Sequence, residues 1–130
     1  MRLAARALPL VAGAAVLLGG CGEPAIVPVE NRTIGLKLDE YRILPKRVSA
    51  PAGELRLIIR NIGTLTHNVA VETIPKVGSN DQPTEIARTS TVHPNQRAEI
   101  TFTIQPGTYR LVCTIANHDD LGQTGTLYVK

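Results

Sequence analysis

The chain has 130 residues and a formal net charge of +3, enough for one hydrophobic core and too little for two. Its basic residues are scattered among acids (Arg32, Lys37, Arg42, Lys46, Arg47, Arg56, Arg60), which describes a solvated surface and excludes a nucleic-acid-binding stripe. There are two cysteines, Cys21 and Cys113.

Residues 1–20 have the layout of an export signal. Arg2 and Arg6 form a charged start and Leu8 to Leu18 an apolar core, too short to span a bilayer as a stable helix. The core ends in Leu18-Gly19-Gly20-Cys21, which resembles a bacterial lipobox. That resemblance implies a lipoprotein signal peptide, with Cys21 as first mature residue. Lipid on its sulfur and amino group would anchor the protein to a membrane of the cell envelope, on a periplasmic or extracellular face. Removing Arg2 and Arg6 takes the charge from +3 to +1. A lipidated Cys21 cannot pair with Cys113, which leaves Cys113 the one thiol of the mature chain in a compartment that permits disulfides. A lone thiol there must be buried or bound to something.

Residues 21–32 (CGEPAIVPVENR) contain Pro24 and Pro28 and read as an extended tether. From Thr33 the hydrophobic period is two. Ile34, Leu36 and Leu38 share a face opposite Lys37 and Asp39, and Leu55, Leu57 and Ile59 alternate with Arg56 and Arg60. HNVAVET, AEITFTI, TYRLVC and TGTLYVK continue the habit, separated by turn signals at Ala52-Gly53, Asn61-Ile62-Gly63, Pro94-Asn95 and Pro106-Gly107. Short strands at this spacing predict an all-β domain over residues 33–130, a Greek-key antiparallel β-sandwich. The polar stretch from Pro75 to Pro94 reads as a surface excursion with at most a short strand or turn near Glu85 to Arg88.

The residues able to carry chemistry fall at strand ends on this map. His67 opens HNVAV, Cys113 closes TYRLVC, and His118 and Gln123 lie in the loop before the last strand, each five residues after the previous ligand candidate. A sandwich gathers loops from distant parts of the chain at each end, so His67 can meet the other three. A thiolate and two imidazoles suit copper or zinc and suit calcium or magnesium poorly. Cys plus two His with a weak axial fourth group is the blue-copper arrangement, and Gln is a known alternative to Met on that axis. The same four side chains can also close a tetrahedral zinc site.

The chain resembles the cupredoxins, the plastocyanin- and azurin-like small blue copper proteins. The residues that carry the resemblance are His67-Asn68-Val69, Pro106-Gly107-Thr108-Tyr109 leading to Cys113, Cys-x4-His-x4-Gln, and Gly125-Thr126-Leu127-Tyr128-Val129. The resemblance implies one type 1-like copper ion held by His67, Cys113 and His118. The fourth position is usually methionine, but the sole methionine here is Met1 and the aligned residue is Gln123, as in stellacyanin-like relatives. An amide oxygen is a harder donor than a thioether and favours Cu(II), so a lower reduction potential is expected than with methionine. Asn68 is expected to stand behind the ligands, holding the cysteine loop and tuning the site through hydrogen bonds.

His93 has no partner at motif spacing and reads as a loop residue. Asp119 and Asp120 read as solvated residues beside the site. A Cys113–His118 nucleophile and base would need an exposed thiolate, an orienting third group and an oxyanion hole, and a thiol closing a strand of a small sandwich, with no glycine-rich elbow or cleft-forming insertion, offers little of this, so the protein is expected not to be an enzyme. The expected function is a monomeric, membrane-anchored copper protein passing single electrons between redox protein partners. A copper-delivery lipoprotein and a metal-free cupredoxin-like interaction module are the alternatives.

Overall fold

The computed structural model describes residues 22–130; the proposed signal peptide and Cys21 lie outside the described residues. The described residues form ten strands: β1 (Val27–Pro28), β2 (Thr33–Asp39), β3 (Arg42–Leu44), β4 (Arg47–Ala50), β5 (Gly53–Asn61), β6 (Ala70–Thr73), β7 (Glu85–Arg88), β8 (Arg97–Ile104), β9 (Gly107–Val112) and β10 (Thr124–Val129). They make a six-stranded sheet in the order β1-β4-β10-β9-β6-β7 and a four-stranded sheet in the order β3-β2-β5-β8. The described residues contain no helix long and apolar enough to cross a membrane.

The period-two pattern produces the core directly. Alternate β-strand side chains point to opposite faces, so Ile34, Leu36 and Leu38 of β2 and Leu55, Leu57 and Ile59 of β5 are all buried. They meet Leu111 of β9, Leu127 and Val129 of β10, and Val48 of β4 from the facing sheet. Each such side chain contributes about 1.5–3 kcal/mol of burial.

The sandwich expected from the sequence is present, but its sheets are mixed rather than antiparallel throughout. β1 pairs with β4, β4 with β10, and β2 with β5 in parallel. The cause lies in two short crossings. The chain leaves the four-stranded sheet after Leu44, enters the other at Arg47, and returns at Gly53. A strand that changes sheets in this way need not lie antiparallel to its new neighbour, as it would after a hairpin.

Two boundaries also differ from the sequence reading. Pairing begins inside the segment read as a tether: Val27 and Pro28 lie against Val48 and Ser49, and Arg32 donates from Nε to Glu54 O (2.8 Å) and from Nη2 to Ala52 O (2.5 Å). Arg47 bonds Glu23 Oε2 at 2.8 Å. Extended, proline-interrupted backbone suits such an edge strand. The strand read from His67 begins instead at Ala70; His67 forms an isolated bridge with Val92. The excursion after Pro75 carries one short strand, β7, as expected.

Register fixes where the site lies. Ala70 is level with Val112, and Val112 with Thr124. The start of β6, the end of β9 and the start of β10 therefore share one pole, and the loops beyond them carry His67, Cys113, His118 and Gln123.

Candidate metal centre

The backbone near this pole is tightly held. His67 N donates to Val92 O (3.1 Å) and Val92 N to His67 O (2.8 Å), so His67 is pinned although it lies outside a strand. The loop from Cys113 to Gln123 closes on itself: Cys113 N donates to Gln123 O (3.1 Å), Gln123 N to His118 O (3.0 Å) and His118 N to Ile115 O (3.1 Å). The five-residue spacing thus brings residues 113 and 123 side by side with His118 folded back between them. Gly122, at φ 109°, makes the last reversal in a conformation that glycine adopts without strain.

His67, Cys113 and His118 offer ligating atoms that all lie within 4.8 Å of one another. Cys113 Sγ is 3.7 Å from His118 Nδ1, and the two imidazole centroids are 5.2 Å apart, tilted by 55°. His67 and Cys113 are fully enclosed, whereas His118 keeps 8% of its surface exposed. Of these three side chains His118 alone therefore presents an edge to the outside.

Whether these residues fit a metal is answered by two atoms. His67 Nδ1 and Gln123 Oε1 are buried and have no hydrogen-bond partner among the described residues. Leaving such an atom unsatisfied costs about 1–3 kcal/mol, and an ion is one of the recognised reasons for it. Gln123 is fully buried, and its amide orientation is dictated by its surroundings. Nε2 donates to Asp39 O at 2.8 Å and lies 3.4 Å from Arg42 O, so a flipped amide would set oxygen against carbonyl oxygen. The free end is the oxygen. Thiolate sulfur, two imidazole nitrogens and an amide oxygen suit a borderline-soft ion such as copper.

Behind the candidate ligands, Asn68 and Thr114 are reciprocally bonded. Thr114 N donates to Asn68 Oδ1 (2.8 Å) and Asn68 Nδ2 to Thr114 Oγ1 (2.9 Å). Asn68 thereby clamps the residue after Cys113 to the residue after His67, and its hydrogen bonds reach Thr114 rather than the sulfur. The expected solvated pair divides: Asp119 accepts from Arg110 Nη2 at 3.1 Å, while Asp120 is exposed. His93 is exposed and outside the cluster.

The turn between β2 and β3 was not singled out by the sequence, yet it touches three of the four candidate ligands. Asp39 and Arg42 hold the Gln123 amide, as described. Tyr41 packs edge-on against His118, with centroids 5.1 Å apart at 64°. Glu40 Oε1 lies 3.2 Å from His67 Nε2 and accepts from Thr64 N and Leu65 N, each at 2.8 Å. These bonds, the Leu65 amide foremost and His67 and Thr64 after it, lower the Glu40 pKa from 4.5 to about 2 against an opposing desolvation. Gly63 makes room for this carboxylate, since a Cβ there would collide with Glu40 Oε1 and sit 2.8 Å from its Cδ. The contact spans 27 residues of sequence, and no spacing in LDEYR signals it.

Fold and site together define a cupredoxin, and the chain belongs to that family: the cupredoxin-like domain family matches residues 10–129. Among solved structures it resembles the dithionite-reduced auracyanin of the photosynthetic bacterium Roseiflexus castenholzii, with 25% identity over 76% of this chain and 97% of that one (TM-score 0.65). Auracyanin A, a "blue" copper protein of Chloroflexus aurantiacus, is 22% identical over 79% of this chain and 99% of its own (TM-score 0.65). Auracyanin B is 24% identical over 84% and 91% (TM-score 0.66). No curated protein sequence matches the chain significantly.

Proposed function

We propose that this protein is a type 1-like copper electron carrier, exported and anchored to a membrane of the cell envelope through lipid on Cys21. The observation that carries the reading is the pair of buried, unpartnered acceptors, His67 Nδ1 and Gln123 Oε1, beside the Cys113 thiol and the His118 imidazole. In this reading Cys113, His67 and His118 would hold the ion, and the Gln123 amide oxygen would offer a fourth donor. Copper there would supply a centre that accepts and releases one electron.

The chain's own residues do the rest. The loop bonds among Cys113, His118 and Gln123 and the Asn68–Thr114 clamp hold the ligands in place before any ion arrives, so little rearrangement accompanies a change of charge. Burial of Cys113 protects a lone thiol from oxidation. The exposed edge of His118 is the shortest route for an electron to leave. Ile62 and Leu65, on the loop leading to His67, and Leu121, on the loop after His118, are exposed apolar side chains that suit brief docking of a redox protein partner by a monomer.

The test is to add Cu(II) to residues 22–130 and record the visible spectrum during reduction and reoxidation. An intense thiolate-to-copper band that vanishes and returns supports the carrier. Tight binding without cycling favours copper delivery, and absence of binding favours a metal-free module; either sinks the proposal. Mass spectrometry of the mature protein should find Cys21 N-terminal and lipidated.

A further inference from the structure

We infer that Glu40 is a positioning residue of the metal centre, which fixes the tautomer of His67 and sets a full negative charge one hydrogen bond behind that ligand. The inference rests on the copper reading above for its redox consequence, but its tautomer consequence holds for the metal-free protein too.

The geometry leaves His67 little choice. An ionised carboxylate is an acceptor only, so the imidazole nitrogen that faces it must carry the hydrogen. His67 Nε2 faces Glu40 Oε1 at 3.2 Å. A neutral imidazole has one N–H, so Nδ1 keeps its lone pair, and Nδ1 is the nitrogen that is buried without a partner. A ligating histidine is commonly oriented through its other nitrogen in this way, which also makes the ligand more basic.

Glu40 is itself held in place. Two backbone amides, of Thr64 and Leu65, donate to the same oxygen, and the absence of a side chain at Gly63 lets the carboxyl group approach. The carboxylate joins the β2–β3 turn to the loop that ends at His67, while neighbours in that turn hold Gln123 and flank His118. One four-residue turn, Asp39 to Arg42, thus orients three of the four donors.

The charge has a direction of effect. The side chain of Glu40 is 29% exposed, so its field is only partly screened by solvent. A negative charge behind His67 stabilises the more highly charged Cu(II) form over Cu(I), in the same direction as the preference that ligation by the Gln123 amide oxygen would give. Removing the charge while keeping the shape should weaken Cu(II) binding by about tenfold, the low end of the affinity loss that outer-shell substitutions cause; with Cu(I) binding unchanged, that raises a one-electron potential by about 59 mV.

Two measurements on the full-length protein test this. Nitrogen-15 NMR of the metal-free wild type should find His67 protonated at Nε2; an Nδ1–H form would overturn the positioning role, whether or not the protein binds copper and whether or not any variant folds. Voltammetry of copper-loaded wild type and Glu40→Gln should show the higher potential in the variant. Unchanged potential in a Glu40→Gln protein that melts like wild type would overturn the charge effect. Copper failing to bind wild type at all would remove the electron-carrier reading, and the NMR result would still decide the role of Glu40 toward His67.

Discussion

Replacing Gln123 with leucine separates a ligand from a structural amide. In the metal-free protein the change removes the Nε2 bond to Asp39 O at 2.8 Å, worth about 1 kcal/mol. The contact with Arg42 O at 3.4 Å is too long to add much. The same change removes a buried, unpartnered Oε1, whose presence costs about 1–3 kcal/mol, and leucine fills a similar volume. Metal-free Gln123→Leu should therefore be as stable as wild type or up to about 2 kcal/mol more stable. Each kcal/mol moves the melting temperature of a domain this size by about 4–8 °C. Differential scanning calorimetry of the two metal-free proteins reads this, and a repeat with copper should show a smaller metal-induced rise for the variant because it lacks a donor. A loss of about 3 kcal/mol or more in the metal-free variant, a drop of at least about 12 °C, would show that Oε1 is already satisfied within the protein and refute the reasoning. Gln123→Met, with a thioether in place of the amide, should raise the reduction potential; an equal or lower value would contradict axial ligation by Gln123.

Asn68→Ala removes the acceptor of Thr114 N and breaks the clamp beside Cys113, so stability should fall by about 1–3 kcal/mol, read as a lower urea midpoint at unchanged slope. Glu99 has its pKa lowered chiefly by the hydrogen bond from Arg56, with Arg97 adding to it. Its folded pKa is below its unfolded one, so its stabilisation is present above the ordinary carboxylate value of 4.5 and lost as pH falls through the lowered one. Glu99→Gln should flatten the acid limb of stability against pH slightly, and high salt should shrink the difference; urea titrations across that limb at two salt concentrations check both.

Strands β2 and β5 were legible because each has one buried face. Ile34, Leu36 and Leu38, and Leu55, Leu57 and Ile59, alternate with exposed neighbours as their spacing predicts. The parallel pairing of β2 with β5 was not, because the same alternation serves either direction and the sheet-switching connection at Pro45-Lys46 carries no periodic signal. Nor was β1, whose two residues are too few to show a period. Cys113, His118 and Gln123 could be read together since one short loop carries them, and His67 could be added because it stands near a strand end that a sandwich can bring to the same pole. Glu40 was missed for a physical reason: its role consists of contacts to Thr64, Leu65 and His67 made only after β2 and β5 pair and bring their ends together.

The central claim is that one buried copper per chain exchanges one electron through Cys113, His67 and His118. Coulometric titration of the copper-loaded protein, with copper content measured on the same sample, tests it most directly. One electron per copper, one copper per chain and full recovery over repeated cycles are expected, all lost in Cys113→Ser. Copper held at that stoichiometry but taking up no electron, or cycling unchanged without the Cys113 thiol, would contradict it.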